Sequence, residues 1–173
     1  MHSQELLTKC GFRGSLSIGS LQEATSQIRL LPRMIMSKIP NSPGVYVIIT
    51  PPEFIFSLRE EVIRGKHLHL FAKADMPERW VKDTDIIYIG RAGGSDIIKN
   101  LPDRIKLLIR HSLGKTTLHR GGQDIWLLEQ DGSFLLYWKG CDDPKTMERN
   151  LLEEFKIQHH GKLPFGNKKA GDC

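Results

Sequence analysis

The sequence predicts an α+β fold, a small and mostly antiparallel β-sheet flanked by helices, with an N-terminal helical extension and one insertion. Two observations support this prediction. Apolar runs of strand length and stretches of helical periodicity follow in the order strand, insertion, strand, helix, hairpin, helix. The chain of 173 residues is long enough for one well-packed domain but short for two. We therefore expect one domain over residues 39–173, preceded by an extension over residues 1–38.

The extension is predicted to be helical because its apolar residues recur at loosely helical spacing. These residues are Leu16, Ile18, Leu21, Ile28, Leu31 and Met34, with breaks at Gly14 and Gly19. The segment lies outside the pattern of the remaining chain, and its apolar stripe leaves open a homodimer or a partner protein.

The first strand is predicted over residues 45–50, between a turn signal at residues 41–44 and the Pro51-Pro52 pair. Residues 51–84 form the insertion, with helical character over residues 53–64. Three roles are open for this insertion, which are reading DNA, contact with a partner and decoration of the sheet edge. The second strand is predicted over residues 85–91, where three isoleucines within five residues indicate burial on both faces.

A helix is predicted over residues 102–112, because Pro102 suits a first helical turn and Gly114 follows the end. Leu101, Ile105, Leu108 and Ser112 mark its apolar face. The Asp131-Gly132 pair predicts a hairpin of two strands, over residues 123–130 and 133–140. The last helix is predicted over residues 144–160, because it follows two aspartates and stops before a glycine.

Composition narrows the class of protein. Hydrophobic residues make up 39% of the chain and charged residues 26%, values typical of a globular protein. No run approaches the roughly 20 apolar residues that cross a bilayer, and the N-terminus lacks the pattern of a secretory signal. We expect a cytoplasmic protein without membrane contact. Cys10, Cys141 and Cys173 are too far apart in sequence to predict a zinc pair or a redox dithiol.

Basic residues are concentrated around the helix over residues 102–112. Between residues 99 and 120 there are six Lys or Arg residues (Lys99, Arg104, Lys106, Arg110, Lys115 and Arg120) against one acidic residue, Asp103. Such a segment suits a surface that faces phosphates, because neutralising a polyanion releases its counterions. The alternative is a solvated helix face.

Three side chains, those of Tyr46, Tyr88 and Glu148, carry functional groups that are not needed to form the fold. Tyr46 and Tyr88 each lie beside a glycine at a predicted strand, where a polyanion can approach the backbone and a phenol can exchange a proton. Glu148 shares the apolar face of the last helix, where a carboxylate is costly unless it is paired or binds a cation. It is the best candidate for a metal ligand, the alternative being a partly exposed glutamate near a helix start.

Five motifs resemble, in order, those of GIY-YIG nucleases. They are Gly44-Val45-Tyr46, Tyr88-Ile89-Gly90-Arg91-Ala92, Leu101-x-x-Arg104-Ile105, Glu148-x-x-Leu151-Leu152 and Pro164-Phe165-Gly166-Asn167. The resemblance covers about residues 39–167 and implies a GIY-YIG fold. It departs from the family in two respects. The two tyrosine motifs are usually separated by a short turn, and here residues 47–87 intervene. We also expect no large second domain of the kind that often gives such nucleases their sequence specificity.

The resemblance implies a metal-dependent endonuclease that hydrolyses phosphodiester bonds in DNA, of restriction, repair or mobile-element type. Tyr46 would serve as general base or activate the attacking water, with Tyr88 in the same network. Arg104 would stabilise charge on the phosphate. Glu148 would hold one divalent metal ion, Mg²⁺ or Mn²⁺, and Asn167 would close the site by hydrogen bonds. The alternative is a DNA-binding module of the same fold with little or no turnover.

Two histidines remain open as a second base. His111 lies seven residues after Arg104, on nearly the same side of the helix, and titrates near neutrality. His119 is a rival, and for either histidine a structural role or a phosphate contact is an equal alternative. Arg91, Lys115 and Arg120 are predicted to contact the DNA backbone, the alternative being a solvated surface.

Overall fold

The computed structural model describes residues 7–26, 36–94, 98–117 and 121–168. Within these residues the main sheet has four antiparallel strands in the spatial order β1-β6-β2-β5. Its strands are β1 (Arg13–Ser17), β2 (Gly44–Ile49), β5 (Ile86–Ala92) and β6 (Leu135–Gly140). A separate hairpin consists of β3 (Glu61–Arg64) and β4 (Leu68–Phe71). The helices are α1 (Ile18–Ser26), α2 (Met76–Arg79), α3 (Leu101–Ser112) and α4 (Pro144–Gln158). The predicted α+β fold with a small antiparallel sheet flanked by helices is confirmed.

The main sheet is buried on both faces because helices cover each of them. Every residue of β2 is buried, and successive side chains alternate between the faces. Tyr46 and Ile48 belong to the core cluster that includes Ile105 of α3. Val47 packs on the opposite face with Leu152 of α4. The predicted apolar face of α3 is confirmed, since Leu101, Ile105, Leu108 and Ser112 are all buried. None of the described helices is long and apolar enough to cross a bilayer.

The N-terminal extension contains a strand, where the sequence predicts only helix. Residues 13–17 form β1, which pairs antiparallel with β6, and α1 begins at the next residue. The tertiary context explains the difference, because β1 satisfies the backbone groups along an otherwise open edge of β6. Gly14 permits the pairing, since a Cβ there would lie 2.1 Å from the ring of Trp138. The helical part of the prediction is confirmed by α1, and Ile28, Leu31 and Met34 lie outside the described residues.

The insertion is mainly a β-hairpin, so the helix predicted over residues 53–64 is wrong. Residues 53–60 contain no helix, and residues 61–64 form β3. The hairpin buries Val62 and Leu68, whereas Arg59 and Arg64 form ion pairs. The Arg59 and Arg64 guanidinium groups both donate to the buried Asp131 carboxylate, with N–O distances of 2.8 to 3.0 Å. These contacts between distant segments hold the insertion against the domain.

The predicted hairpin around Asp131-Gly132 is also wrong in its first half. Residues 123–127 and 131–133 form short 3₁₀ helices, and only the second segment contains a strand, β6. Two features explain this. Residues 125–128 are buried without alternation, and β6 already has β1 and β2 as neighbours on its two edges. A further strand would have no edge of β6 to pair with.

The last helix agrees with the prediction to within two residues. It spans Pro144–Gln158, and the Asp143 side chain accepts a hydrogen bond from the Thr146 amide at 3.1 Å as the N-cap. Beyond its end, His160 and Gly161 have φ values of +54° and +82°, which reverse the chain toward residues 164–167.

Candidate active site

The pairing of β2 with β5 brings the two tyrosines together. Tyr46 lies opposite Gly90, and Ile48 lies opposite Tyr88, so both phenols project from the same face of the sheet. Their ring centroids are 5.9 Å apart, with the planes inclined at 54°. A Cβ at Gly90 would lie 2.6 Å from Cζ of Tyr46 and 2.9 Å from the ring of Tyr88. The two phenols can therefore meet only because residue 90 has no side chain.

Helix α3 places Arg104 beside the phenols. The N-terminus of the helix is capped, because the Asn100 side chain accepts a hydrogen bond from the Asp103 amide at 2.9 Å. The Leu101 amide also donates to the Ser42 carbonyl at 2.9 Å, which ties the helix start to the turn before β2. Arg104 follows in the first turn. Its positive charge lowers the pKa of the Tyr46 phenol, against the larger effect of burial.

Both phenols stay protonated at neutral pH. Burial raises the pKa of Tyr46 above its ordinary value of 10.0, and the Arg104 guanidinium offsets only part of this effect. Burial raises the pKa of Tyr88 still further above 10.0, with the neighbouring Tyr46 as the second cause. In this state each phenol can donate a hydrogen bond but cannot accept a proton as a base.

Glu148 lies on the opposite face of the main sheet from the tyrosines. Its helix packs through Leu152 against Val45 and Ile89, whose side chains alternate with those of Tyr46 and Tyr88. Burial is the main cause of the raised pKa of both phenols, and the charge of Glu148 adds a small further increase. The carboxylate and the two phenols therefore lie on opposite sides of β5.

Arg91 is the direct partner of Glu148. Its Nε donates to Oε2 of Glu148 at 2.8 Å, and its Nη1 donates to the Gly93 carbonyl at 3.0 Å. The side chains of Arg91 and Glu148 are 5% and 13% exposed. The prediction that Arg91 contacts the DNA backbone does not fit this burial. The sequence contains an indication of this pairing. Arg91 continues a strand that is predicted to be buried on both faces, and a buried guanidinium needs a carboxylate partner.

Asn167 fastens the free edge of β5. Its Oδ1 accepts a hydrogen bond from the Ile89 amide at 3.0 Å, and its Nδ2 donates to the Ile89 carbonyl at 2.8 Å. The Gly166 amide donates to the Ile87 carbonyl at 2.8 Å. Residues 164–167 thus satisfy backbone groups that an edge strand would otherwise expose, and they hold the strand that carries Tyr88.

No role is predicted from the sequence for two glycines at this site, Gly122 and Gly166. A Cβ at Gly122, where φ is +70°, would lie 2.9 Å from the ring of Tyr88. A Cβ at Gly166 would lie 3.1 Å from the same ring and 2.7 Å from Ile125. Together with Gly90, they enclose the Tyr88 phenol with backbone from three separate segments. Their common role appears only when those segments are packed together.

The remaining predicted site residues lie farther from the two phenols or outside the described residues. His111 is two turns beyond Arg104, about 10 Å along the helix axis. Lys115 is exposed just after the end of α3. His119 and Arg120 lie outside the described residues, so the choice between the two histidines stays open.

The donor set at Glu148 suits a metal ion only in part. Among the described residues, no group of three His, Cys, Asp or Glu side chains could hold a metal ion. Glu148 supplies a single carboxylate, which also accepts a hydrogen bond from Arg91. Mg²⁺ commonly keeps several waters and takes one or two carboxylates together with substrate phosphate oxygens. The residues therefore fit an ion that the substrate helps to hold, not a site built by protein ligands alone.

Comparison of the chain with protein-family models, curated sequences and solved structures finds no significant match. The resemblance to GIY-YIG nucleases therefore rests on the order of the five motifs and on how the fold arranges their residues.

Proposed function

We propose that this protein is a metal-dependent DNA endonuclease of the GIY-YIG type, acting in the cytoplasm. The observation that carries the proposal is the contact between Tyr46 and Tyr88 over Gly90, beside the positive charge of Arg104. A protonated phenol pair beside a guanidinium suits an anionic substrate with several oxygen acceptors. A phosphodiester has that chemistry.

Arg104 is the group that would stabilise the phosphate. A guanidinium offers paired donors to phosphate oxygens, and its charge counts for more in a site from which water is excluded. The capped start of α3 holds the Arg104 backbone in place, so little reorganisation is needed when the substrate arrives.

Tyr46 would activate the attacking water, with Tyr88 as its hydrogen-bond neighbour. Because burial raises the pKa of Tyr46, this role requires the pKa to fall when the substrate and a cation are bound. In the free protein the phenol is a donor. The cleavage rate is therefore expected to rise with pH through the neutral range.

Glu148 would hold the divalent ion, Mg²⁺ or Mn²⁺, while Arg91 orients its carboxylate. When bound, such an ion supplies charge neutralisation at the phosphate and lowers the pKa of a coordinated water.

The test is cleavage of supercoiled plasmid by the wild type, Glu148→Ala and Glu153→Ala, each with Mg²⁺, Mn²⁺ or chelator. Glu153 is a matched control, because it lies on the same helix but is exposed and paired with Lys156. We expect metal-dependent nicking or linearisation by the wild type and by Glu153→Ala, and none by Glu148→Ala. Intact plasmid and intact oligonucleotides with every metal would refute the nuclease.

A DNA-binding module with little or no turnover is the second candidate. The observation that favours it is the burial of both phenols, which holds them in the protonated state. Salt-dependent DNA binding without cleavage under any metal would support this candidate.

A further inference from the structure

Two segments of the chain carry basic residues without any acidic ones. Residues 62–74 and 104–123 contain eight of the 25 Lys and Arg residues and none of the 20 Asp and Glu residues. The first segment lies in the insertion and the second begins in α3. Since the whole chain has a net charge of only +5, the rest of the protein is net acidic. Positive charge is therefore concentrated in these two segments.

The fold docks the two segments against each other through their backbones. The turn of the β3-β4 hairpin meets the end of α3, where a Cβ on Gly114 would lie 1.6 Å from the Arg64 carbonyl oxygen. A Cβ on Gly65 would lie 2.7 Å from the Gly114 carbonyl oxygen. Such close contact leaves no room for a side chain. The hairpin turn and the helix end therefore form one surface.

Ion pairs fix this arrangement. Arg64 donates to the Ser112 carbonyl at 3.2 Å and makes two hydrogen bonds to Asp131. Arg59 donates to the same carboxylate and to the Trp126 carbonyl. Asp131 is buried and is the shared counter-ion of Arg59 and Arg64, so this cluster keeps one net positive charge. The cations left at the surface are thus presented by a preformed scaffold.

The basic side chains at this junction point to solvent. Lys66 and His67 are exposed in the hairpin turn, and Lys115 is exposed directly after Gly114. We call these three residues the hairpin surface. On the outer face of the same hairpin, Ile63 is 62% and Phe71 58% exposed. The exposed lysines suit the phosphate backbone of a nucleic acid, because neutralising phosphates releases counterions.

We propose that the hairpin surface is a second DNA-backbone contact, separate from the phosphate that would be cut. The proposal rests on the function proposed above, because it takes DNA as the ligand. It does not require that the protein cleaves DNA. Arg104 lies in the first turn of α3, which ends at Ser112, and the eight helical steps between them span about 12 Å along the axis. Lys115 follows just beyond that end, and DNA advances about 3.4 Å per base pair, so the separation corresponds to about four base pairs. The insertion would then bind the duplex to one side of the cut.

The first experiment measures duplex DNA affinity against salt concentration in chelator, so that binding is observed without cleavage. The double variant Lys66→Ala/Lys115→Ala is compared with Lys82→Ala. Lys82 is an exposed lysine of the same insertion that lies beside Asp83 and lines a different cleft. Each lost phosphate contact is expected to lower the slope of log affinity against log salt by about 0.9. The slope of the double variant should be lower by about 1.8, twice the value for one contact, and that of the control should be unchanged.

The second experiment shortens the duplex. Wild-type affinity is expected to fall when fewer than about four base pairs remain on one side of the cut position. The double variant should be insensitive to the same shortening, because its contact with that flank is already lost. Thermal unfolding of each variant checks that the fold is retained.

The outcomes separate this proposal from the nuclease. DNA binding with the expected loss of slope, but without cleavage under any metal, would uphold the hairpin surface and refute the nuclease. Cleavage by the wild type, with the same affinity and slope in the double variant, would refute the hairpin surface alone. A wild type that binds no DNA would refute both.

Discussion

At the residue scale, the absence of a side chain matters as much as the presence of one. At Gly90, the lack of a Cβ lets the phenols of Tyr46 and Tyr88 approach each other. The conformational freedom of glycine is not the reason, because Gly90 lies within a regular strand. The reason is that a side chain at residue 90 would have no space beside the two rings.

Gly90→Ala is therefore expected to destabilise the protein. The new methyl group would lie 2.6 Å from Tyr46 and must displace a ring in a fully buried site. Overpacking of this kind costs about 1–3 kcal/mol in the free energy of unfolding, measured by urea denaturation. Gly132→Ala is the matched control, since its Cβ would have only an ordinary contact of 3.8 Å with Gly19. Equal stability of the two variants would contradict the packing described here.

The buried phenols also predict how stability depends on pH. In the folded protein burial raises the pKa of Tyr46, whereas in the unfolded chain it stays near 10.0. The unfolded chain therefore releases its proton first as pH rises. The stabilising contribution is fully present below pH 10.0 and is lost as pH rises through the folded-state pKa.

Urea denaturation between about pH 8 and pH 11 should show the free energy of unfolding falling toward alkaline pH. Lysines contribute to any such fall, so the informative quantity is the difference between the wild type and Tyr46→Phe. The variant should show a shallower fall. Parallel curves would mean that Tyr46 titrates alike in the folded and unfolded states.

At the element scale, the insertion and the loop before β6 stabilise each other through one carboxylate. Asp131 accepts hydrogen bonds from two guanidinium groups, those of Arg59 and Arg64, which precede and end β3. The carboxylate side chain is only 7% exposed, whereas the arginines are 29% and 26% exposed. The hairpin therefore depends on a residue about 70 positions away in sequence for its docking.

Asp131→Asn should weaken this docking strongly. The substitution removes the counter-charge of two partly buried guanidinium groups. We expect the free energy of unfolding to fall by about 2–4 kcal/mol, somewhat less than when a fully buried ion pair is broken. Glu61→Gln is the control, because the Glu61–His69 pair is exposed at both ends and should change stability by less than about 0.5 kcal/mol. Urea denaturation measures both variants, and faster amide exchange of β3 in Asp131→Asn would locate the loss. A change no larger than that of the control would contradict this role.

At the scale of the whole molecule, the N-terminal segment belongs to the domain and is not an appended layer. Its strand β1 completes the main sheet, and its helix α1 packs on α3, where Gln22 donates to the Ser112 hydroxyl at 2.9 Å. The helix that carries Arg104 is thus supported by residues outside the five motifs. The insertion supports the same helix from its other end through Arg64.

Local patterns were enough to predict much of this fold. The strands β2 and β5 were recognised from apolar runs between turn signals, and α3 and α4 from their periodicity, their prolines and their capping residues. The site residues on these elements were found through motifs in the same segments. Each of these features depends on residues that are close in sequence, so a reading of the chain can detect them.

The sequence by itself determined which segments form the central strands and the two long helices, and where the tyrosines, Arg104 and Glu148 lie on them. Only the tertiary structure decided that residues 13–17 become a strand and that the insertion becomes a hairpin. It also decided that Arg91 pairs with Glu148. The physical reason is the same in each case. An edge strand needs an open neighbouring edge, and a buried charge needs a counter-ion, and both partners come from distant parts of the chain.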